Sequence, residues 1–143
     1  MATDCPISNA YAPEIQRICS GFAGRGVNCA LVYEDVNVTP DAVRTHVVEH
    51  GYRQIAAAID DGSLAARVNA AITPEAVVVD HAGSVRYHGR IDNLYVALGK
   101  SRQVVTAHDL RDALDALVAG KAVANQATDA VGCFIMPSIQ RSK

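Results

Sequence analysis

Close cysteine pairs, long apolar runs and basic clusters are all missing from this sequence, and each absence narrows what the chain can be. The four cysteines, at positions 5, 19, 29 and 133, form none of the C-x-x-C pairs from which zinc sites are built. No stretch of about 18 consecutive apolar residues occurs, so no transmembrane helix is expected. Thirteen Lys and Arg stand against fifteen Asp and Glu, a net charge of −2. With no basic run, neither nucleic acid nor a membrane is an expected partner. Met1-Ala2-Thr3-Asp4 has no charged leader and no apolar core, so the sequence carries no signal peptide. The expected location is cytoplasmic as the sequence stands, and extracytoplasmic if the natural N-terminus is longer.

What is present is apolar substance. Half of the 143 residues are hydrophobic, and a chain of this size buries a core without disulfides or metals to staple it. Ser8 to Phe22 reads as a helix with Ile15, Ile18, Cys19 and Phe22 on one face. Gly21, Gly24 and Gly26 end it, and Val27–Tyr33 reads as a strand buried on both faces. Thr39-Pro40 places a cap before a first-turn proline, predicting a helix to Gly51. A short strand at Gln54–Ala58, a turn at Asp60-Asp61-Gly62 and a short helix capped by Ser63 follow. Ala76–Asp80 and Val85–Gly89 predict a hairpin across His81-Ala82-Gly83-Ser84. The strongest helical period lies in Leu110, Ala113, Leu114, Leu117 and Val118, from a start at Thr106 with Asp109 as a capping box to Gly120. Residues 121–143 form a tail without a long period. Helices alternating with strands and a terminal hairpin predict an α/β layer with a mixed sheet.

Cys19 and Cys29 both lie in apolar segments and are expected to be free, buried core residues. Cys5 differs. It precedes a helix, where unpaired N–H groups and the positive end of the helix dipole favour thiolate, the nucleophilic form. Pro6 pre-sets φ at the start of the turn, while the Asp4 carboxylate works against ionisation.

Three separated segments together resemble the thioredoxin-like superfamily, in its redoxin branch (alkyl hydroperoxide reductase/thiol-specific antioxidant-like). They are Asp4-Cys5-Pro6-Ile7-Ser8-Asn9 leading to Tyr11-Ala12-Pro13-Glu14-Ile15, then Ile72-Thr73-Pro74 before a strand, and Tyr87-His88-Gly89-Arg90-Ile91-Asp92 after the hairpin. The resemblance covers about residues 4 to 119. It implies a thioredoxin-like three-layer fold over residues 1–120 with a mixed central sheet, followed by the tail 121–143. It also implies a thiol-dependent oxidoreductase without cofactor or metal, with Cys5 as nucleophile and Ser8 as donor to its thiolate. Pro6, Thr73, Pro74 and Arg90 would meet a disulfide, small-thiol or peroxide substrate, and a thiol reductant would regenerate the site. Thr73-Pro74 is expected to be a cis bond. The alternative is a binding or accessory module that keeps the fold without turnover.

Departures from the family are specific. Ser8 replaces the second cysteine of thioredoxins and cannot resolve a mixed disulfide. Peroxiredoxins place Thr or Ser three residues before the reactive cysteine, where this chain has Ala2. Cys133, in Val131-Gly132-Cys133-Phe134-Ile135, is either the resolving thiol on a glycine hinge or part of a docked apolar tail packing Phe134, Ile135 and Met136. The family's N-terminal strand is missing ahead of Cys5. Either the start is internal to a longer chain, or residues 130–136 dock on the domain, or two chains associate as a homodimer.

Other constellations are weaker. His46-Val47-Val48-Glu49-His50 matches the H-x-x-E-H pattern of inverted zinc peptidases, yet a third ligand is not evident, and both histidines are expected on the surface. A copper-delivery role, known among thioredoxin-fold proteins, would need a second cysteine near the turn besides His81 or His88. Gly21–Gly26 lacks the Lys-Ser/Thr of a phosphate loop. Arg90 and Asp92 are expected to pair with each other or to orient the site.

Overall fold

A computed structural model describes residues 1–136, so the last seven residues of the tail, 137–143, lie outside the described residues. Cys5 has extended geometry (φ −85°, ψ 114°) immediately before α1 (Pro6–Ala10). Pro6 fits the first helical position because its missing N–H would have no helical partner there. Pro13 then removes the donor that would have bonded the Asn9 carbonyl. The single helix expected over Ser8–Phe22 is accordingly interrupted at Tyr11, and α2 (Ala12–Ala23) continues it.

Ile18 and Phe22 of α2 enter a core cluster with Cys5, Ile7, Tyr11 and Leu114. Cys19 does not behave as expected. It is half-buried and bonded to Cys29, with Cα atoms 5.8 Å apart. The chain reverses after α2, with Gly26 at φ 83°, and this reversal carries Cys29 back beside Cys19. The two are therefore a disulfide rather than free core thiols.

β1 (Ala30–Tyr33) pairs in parallel with β2 (Ala56–Ile59), from Ala30 opposite Ala56 to Tyr33 opposite Ile59. β1 is not buried on both faces: Leu31 and Tyr33 point inward, Ala30 is exposed, and all of β2 is exposed. The crossover between them is α3 (Pro40–Glu49), whose first turn is capped by the Thr39 hydroxyl accepting from the Ala42 N–H at 3.1 Å. Val43 and Tyr52 pack on Leu31 and Tyr33. Met1 runs beside β1, its nitrogen donating to the Val32 carbonyl at 2.6 Å. Ser63 begins α4 (Ser63–Val68) rather than capping it. The capping acceptor is Asp60, whose carboxylate takes the N–H groups of Gly62, Leu64 and Ala65 at 3.0–3.1 Å.

β3 (Ile72–Thr73) leads through a cis Thr73-Pro74 bond, as expected, into β4 (Ala76–Val79) and β5 (Val85–Gly89), the predicted antiparallel hairpin. A second hairpin follows, β6 (Tyr95–Ala97) with β7 (Lys100–Ser101). Its strands are too short for a period to announce them. α5 (Asp109–Val118) buries Ala113 and Leu114 but starts three residues later than predicted. Thr106 is instead held by Asn93, which donates to its hydroxyl at 2.6 Å and accepts its N–H at 2.9 Å.

The tail is tied down by backbone. Gln126 and Thr128 bond the two sides of His88 at 2.9 and 3.0 Å. Gly89 lets Thr128 approach, since a Cβ there would strike it. β8 (Cys133–Phe134) then pairs antiparallel with β3. Residues 130–136 thus dock on the domain, along β3 and not beside β1. The described strands form four two-stranded ladders in a mixed α/β architecture.

Removing the Cys19–Cys29 bond with a Cys19→Ala/Cys29→Ala double variant should cost about 2–3 kcal/mol, the loop-closure value for a short loop. It should appear as a lower urea midpoint under non-reducing conditions. An unchanged midpoint would mean that the bond contributes nothing to the folded state.

Candidate thiol site

The site begins with a thiol that local sequence places at a helix start and tertiary structure seals. Cys5 is 1% exposed, within the core cluster. Its thiol donates to the Thr73 carbonyl at 3.3 Å, across 68 residues of sequence. Thr73 stands opposite Cys133 in the β3–β8 register. The Ile135 N–H bonds the Ala71 carbonyl at 2.8 Å, and the Thr73 hydroxyl donates to the Cys133 carbonyl at 3.4 Å. This pairing sets the Cys133 thiol on Cys5, and neither is in a disulfide. Gly132 is not a hinge. A Cβ at this buried position would collide with the Thr73 carbonyl, so the strand approaches this closely only because residue 132 is glycine.

Burial alone would push the Cys5 thiol up. Hydrogen bonds to its thiolate from the Cys133 thiol, the Ser8 N–H, the Ser8 hydroxyl and Thr73 outweigh that, bringing it from 9.0 down to about 7. The Ser8 hydroxyl is fully buried and has no hydrogen-bond partner with the thiol neutral. A buried donor without an acceptor is costly, and the thiolate supplies the acceptor. Cys133 moves the other way, to about 11, because its proton is held by Cys5 and because it is itself partly buried. The pair therefore loses its protons in two separated steps. Asp4 contributes to raising Cys133.

Neighbouring polar groups hold this arrangement in place. His46, expected on the surface, is 3% exposed. Its Nε2–H donates to the Asn9 Oδ1 at 2.7 Å, and its Nδ1 accepts from the Tyr33 hydroxyl at 2.9 Å. Asn9 in turn donates to the Thr3 carbonyl at 3.2 Å, and its N–H bonds the Cys5 carbonyl at 3.0 Å. Burial and the adjacent His50 hold the His46 imidazole below its usual range. Both ring nitrogens are engaged, which removes His46 as a metal ligand. Glu75, next to Pro74, accepts from the Ala71 and Ile72 N–H groups at 2.8 and 3.1 Å and meets His88 Nε2 at 2.6 Å. It braces the loop that presents Thr73. No motif marked Glu75, Asn9 closed the segment Asp4–Asn9 without a role assigned to it, and the H-x-x-E-H pattern pointed His46 at the wrong chemistry.

The structure brings Cys5, Ser8, Thr73 and Cys133 together, with Pro6 and Pro74 shaping the two turns. Arg90 stands apart. It pairs with Asp109 at 2.7 Å rather than with Asp92, and this engages the carboxylate expected to complete the capping box. Asp92 accepts from the Tyr11 hydroxyl at 2.7 Å. Glu14, Asp92 and His108 have ligand atoms within 4.8 Å of one another. Arg17 and Arg111 already occupy both Glu14 oxygens, at 2.9 and 2.6 Å, so a cation would have to displace two guanidinium groups. A cleft of about 400 Å³ borders β3, lined in part by Glu75, His88, Thr128 and Asp129.

No family model matches this chain, and no curated protein does. Two crystal structures are similar to it over 97% of its length. One is a hypothetical protein from Sinorhizobium meliloti 1021, with a TM-score of 0.82 and 26% identity over 77% of that chain. The other is an uncharacterized conserved protein from Geobacillus kaustophilus, with a TM-score of 0.79 and 23% identity over 74% of that chain. They share its fold, and neither name states an activity.

The ultraviolet absorbance of the Cys5 thiolate should rise with a midpoint of about 7 in the reduced protein and shift upward in Ser8→Ala and in Cys133→Ala. A Cys5 depressed below 9.0 contributes stability that is fully present above pH 9.0 and lost as pH falls through about 7. A Cys133 raised to about 11 contributes stability present below pH 9.0 and lost as pH rises through about 11. The stability of the reduced protein should therefore peak near pH 9, by urea unfolding at fixed ionic strength. A flat profile from pH 7 to 9 would contradict the thiolate assignment.

Proposed function

We propose that this chain is a thiol-dependent oxidoreductase of redoxin type, with a thioredoxin-like three-layer arrangement, in which Cys5 is the nucleophile and Cys133 resolves it. The observation that carries the reading is the meeting of two free thiols from opposite ends of the chain, one depressed to about 7 and the other raised to about 11. A nucleophilic thiol near ambient pH beside a protonated partner is suited to two-step sulfur chemistry. With a disulfide substrate, the Cys5 thiolate forms a mixed disulfide and expels one thiolate. Cys133, losing its proton, then attacks the Cys5 sulfur and expels the other. With a peroxide, Cys5 is oxidised to the sulfenic acid as the alcohol or water leaves, and condensation with Cys133 releases water. Either route ends in a Cys5–Cys133 disulfide that a thiol reductant must reopen.

Ser8 donates to the thiolate, and the Thr73-Pro74 loop forms the wall facing it. The sealing of Cys5 favours oxidants small enough to reach a sulfur that is 1% exposed. The Cys19–Cys29 bond supports work in an oxidising compartment, where structural disulfides persist.

Three proteins test this: wild type, Cys5→Ser and Cys133→Ser, each given hydrogen peroxide or a small disulfide with a thiol reductant in excess. Wild type should turn over. Cys5→Ser should lose all activity, and Cys133→Ser, treated with peroxide before reductant is added, should consume about one equivalent and hold a Cys5 sulfenic acid that dimedone traps, where wild type holds a disulfide. No turnover by wild type on either substrate would leave the accessory-module reading in its place.

A further inference from the structure

Two sulfurs of the oxidised site are open to attack in principle, and the structure distinguishes them. Displacement at a disulfide proceeds with the incoming thiolate in line with the bond that breaks. To attack Cys5, a reductant must arrive from the side opposite Cys133 and reach a sulfur enclosed in the core cluster with Ile7, Tyr11 and Ile18. Cys5 is 1% exposed and has the Thr73 carbonyl and the Ser8 hydroxyl against it. To attack Cys133, it arrives from the side opposite Cys5. Cys133 is only half-buried, on a two-residue strand with no second partner strand among the described residues. The next residue, Phe134, is 74% exposed, and Met136 is 71% exposed.

We infer that the reductant attacks the sulfur of Cys133, so that the mixed disulfide of the reductive half-reaction is carried by Cys133 and Cys5 is the leaving group. This rests on the proposed Cys5–Cys133 disulfide and goes beyond it, since either sulfur would complete the cycle on paper. In the first step RS⁻ forms a bond to Cys133, the Cys5–Cys133 bond breaks, and the electron pair departs on Cys5 as thiolate. In the second, another RS⁻ attacks the outer sulfur, releasing RSSR and a Cys133 thiolate that takes a proton from water. The disulfide is reduced by two electrons and two thiols are oxidised. Leaving-group strength points the same way, because the less basic thiolate departs faster, and Cys5 is the less basic of the two. Cys5 thus recovers its nucleophilic form in one step, without being exposed to the reductant.

The test uses the full-length protein, oxidised with one equivalent of diamide, its free thiols counted before any reductant is added. Sub-stoichiometric glutathione is then added, the mixture is acid-quenched at successive short times, free thiols are blocked with a maleimide, and peptides are mapped by mass spectrometry. Extrapolated to zero time, glutathione should lie on Cys133 and maleimide on Cys5, in about tenfold excess over the reverse pattern. The reverse pattern, or an even split, overturns the inference. A thiol count still at two before glutathione means that the disulfide never formed, which removes the proposed function and this inference together. Phe134→Glu gives a second reading. A carboxylate beside Cys133 should slow reduction by anionic glutathione several-fold while leaving oxidation of Cys5 by peroxide unchanged. An unchanged reduction rate in that variant counts against attack at Cys133.

Discussion

The antiparallel pairing of Cys133–Phe134 with Ile72–Thr73 is the contact on which the character of the site depends. Without it Cys5 would be a buried thiol at a helix start, with burial pushing its pKa up. With it, the thiol gains from Cys133 the largest of the hydrogen bonds that lower it, beside those of Ser8, and a fixed neighbour in Thr73. The pairing itself is narrow, two residue pairs wide, and has a strict steric condition at Gly132, where the Thr73 carbonyl leaves no space for a side chain. Phe134 and Met136, the large apolar residues of this segment, contribute little by burial, since both face solvent. Backbone hydrogen bonds and the half-buried Val131 and Cys133 hold the strand instead.

A contact that narrow needs rigid ground on both sides. On the Cys5 side, the relay from the buried Tyr33 and His46 through the half-buried Asn9 to the Thr3 carbonyl fixes the turn by hydrogen bonds. On the Thr73 side, Glu75 ties two backbone N–H groups and His88 together. His88 in turn anchors the tail through its own backbone. Networks of this kind add specificity of geometry because an unpaired member in a low-dielectric interior is expensive. The group left unpartnered near the thiol is the Ser8 hydroxyl, the place where an unmet donor suits ionisation of the neighbouring sulfur.

Much of the local structure was legible in residue order. Thr39-Pro40 predicted a cap and the hydroxyl makes it. The β-branched runs around Gly83 predicted the hairpin, and the period from Leu110 to Val118 predicted α5. These succeed because caps, turns and amphipathic faces are decided by residues within a few positions of one another. The failures share the opposite property. Cys19 and Cys29 looked like two core residues because nothing local shows that a chain reversal sets their Cα atoms 5.8 Å apart. His46 looked like a surface residue because its partners, Asn9 and Tyr33, come from other elements. Arg90 and Asp109 were each assigned a near neighbour, and each had its partner 19 residues away.

By itself, then, the sequence determined which groups could carry chemistry: a cysteine before a first-turn proline, a serine three residues on, a Thr-Pro loop before a hairpin, and one more thiol in the tail. It determined the α/β succession as well, since alternating periods of 3.6 and 2 are properties of the chain. Tertiary structure alone decided whether those groups meet. The position of Cys133 is set by strand register and by the space at Gly132, both fixed by residues 60 positions away. The ionisation of Cys5 is set by Ser8 together with Cys133 and Thr73, which reach its sulfur only after the chain has closed. Helix starts and turns depend on short-range sterics, whereas a pKa depends on everything within a few ångströms, and around Cys5 that is Ser8 from its own turn together with Thr73 and Cys133 from distant parts of the sequence.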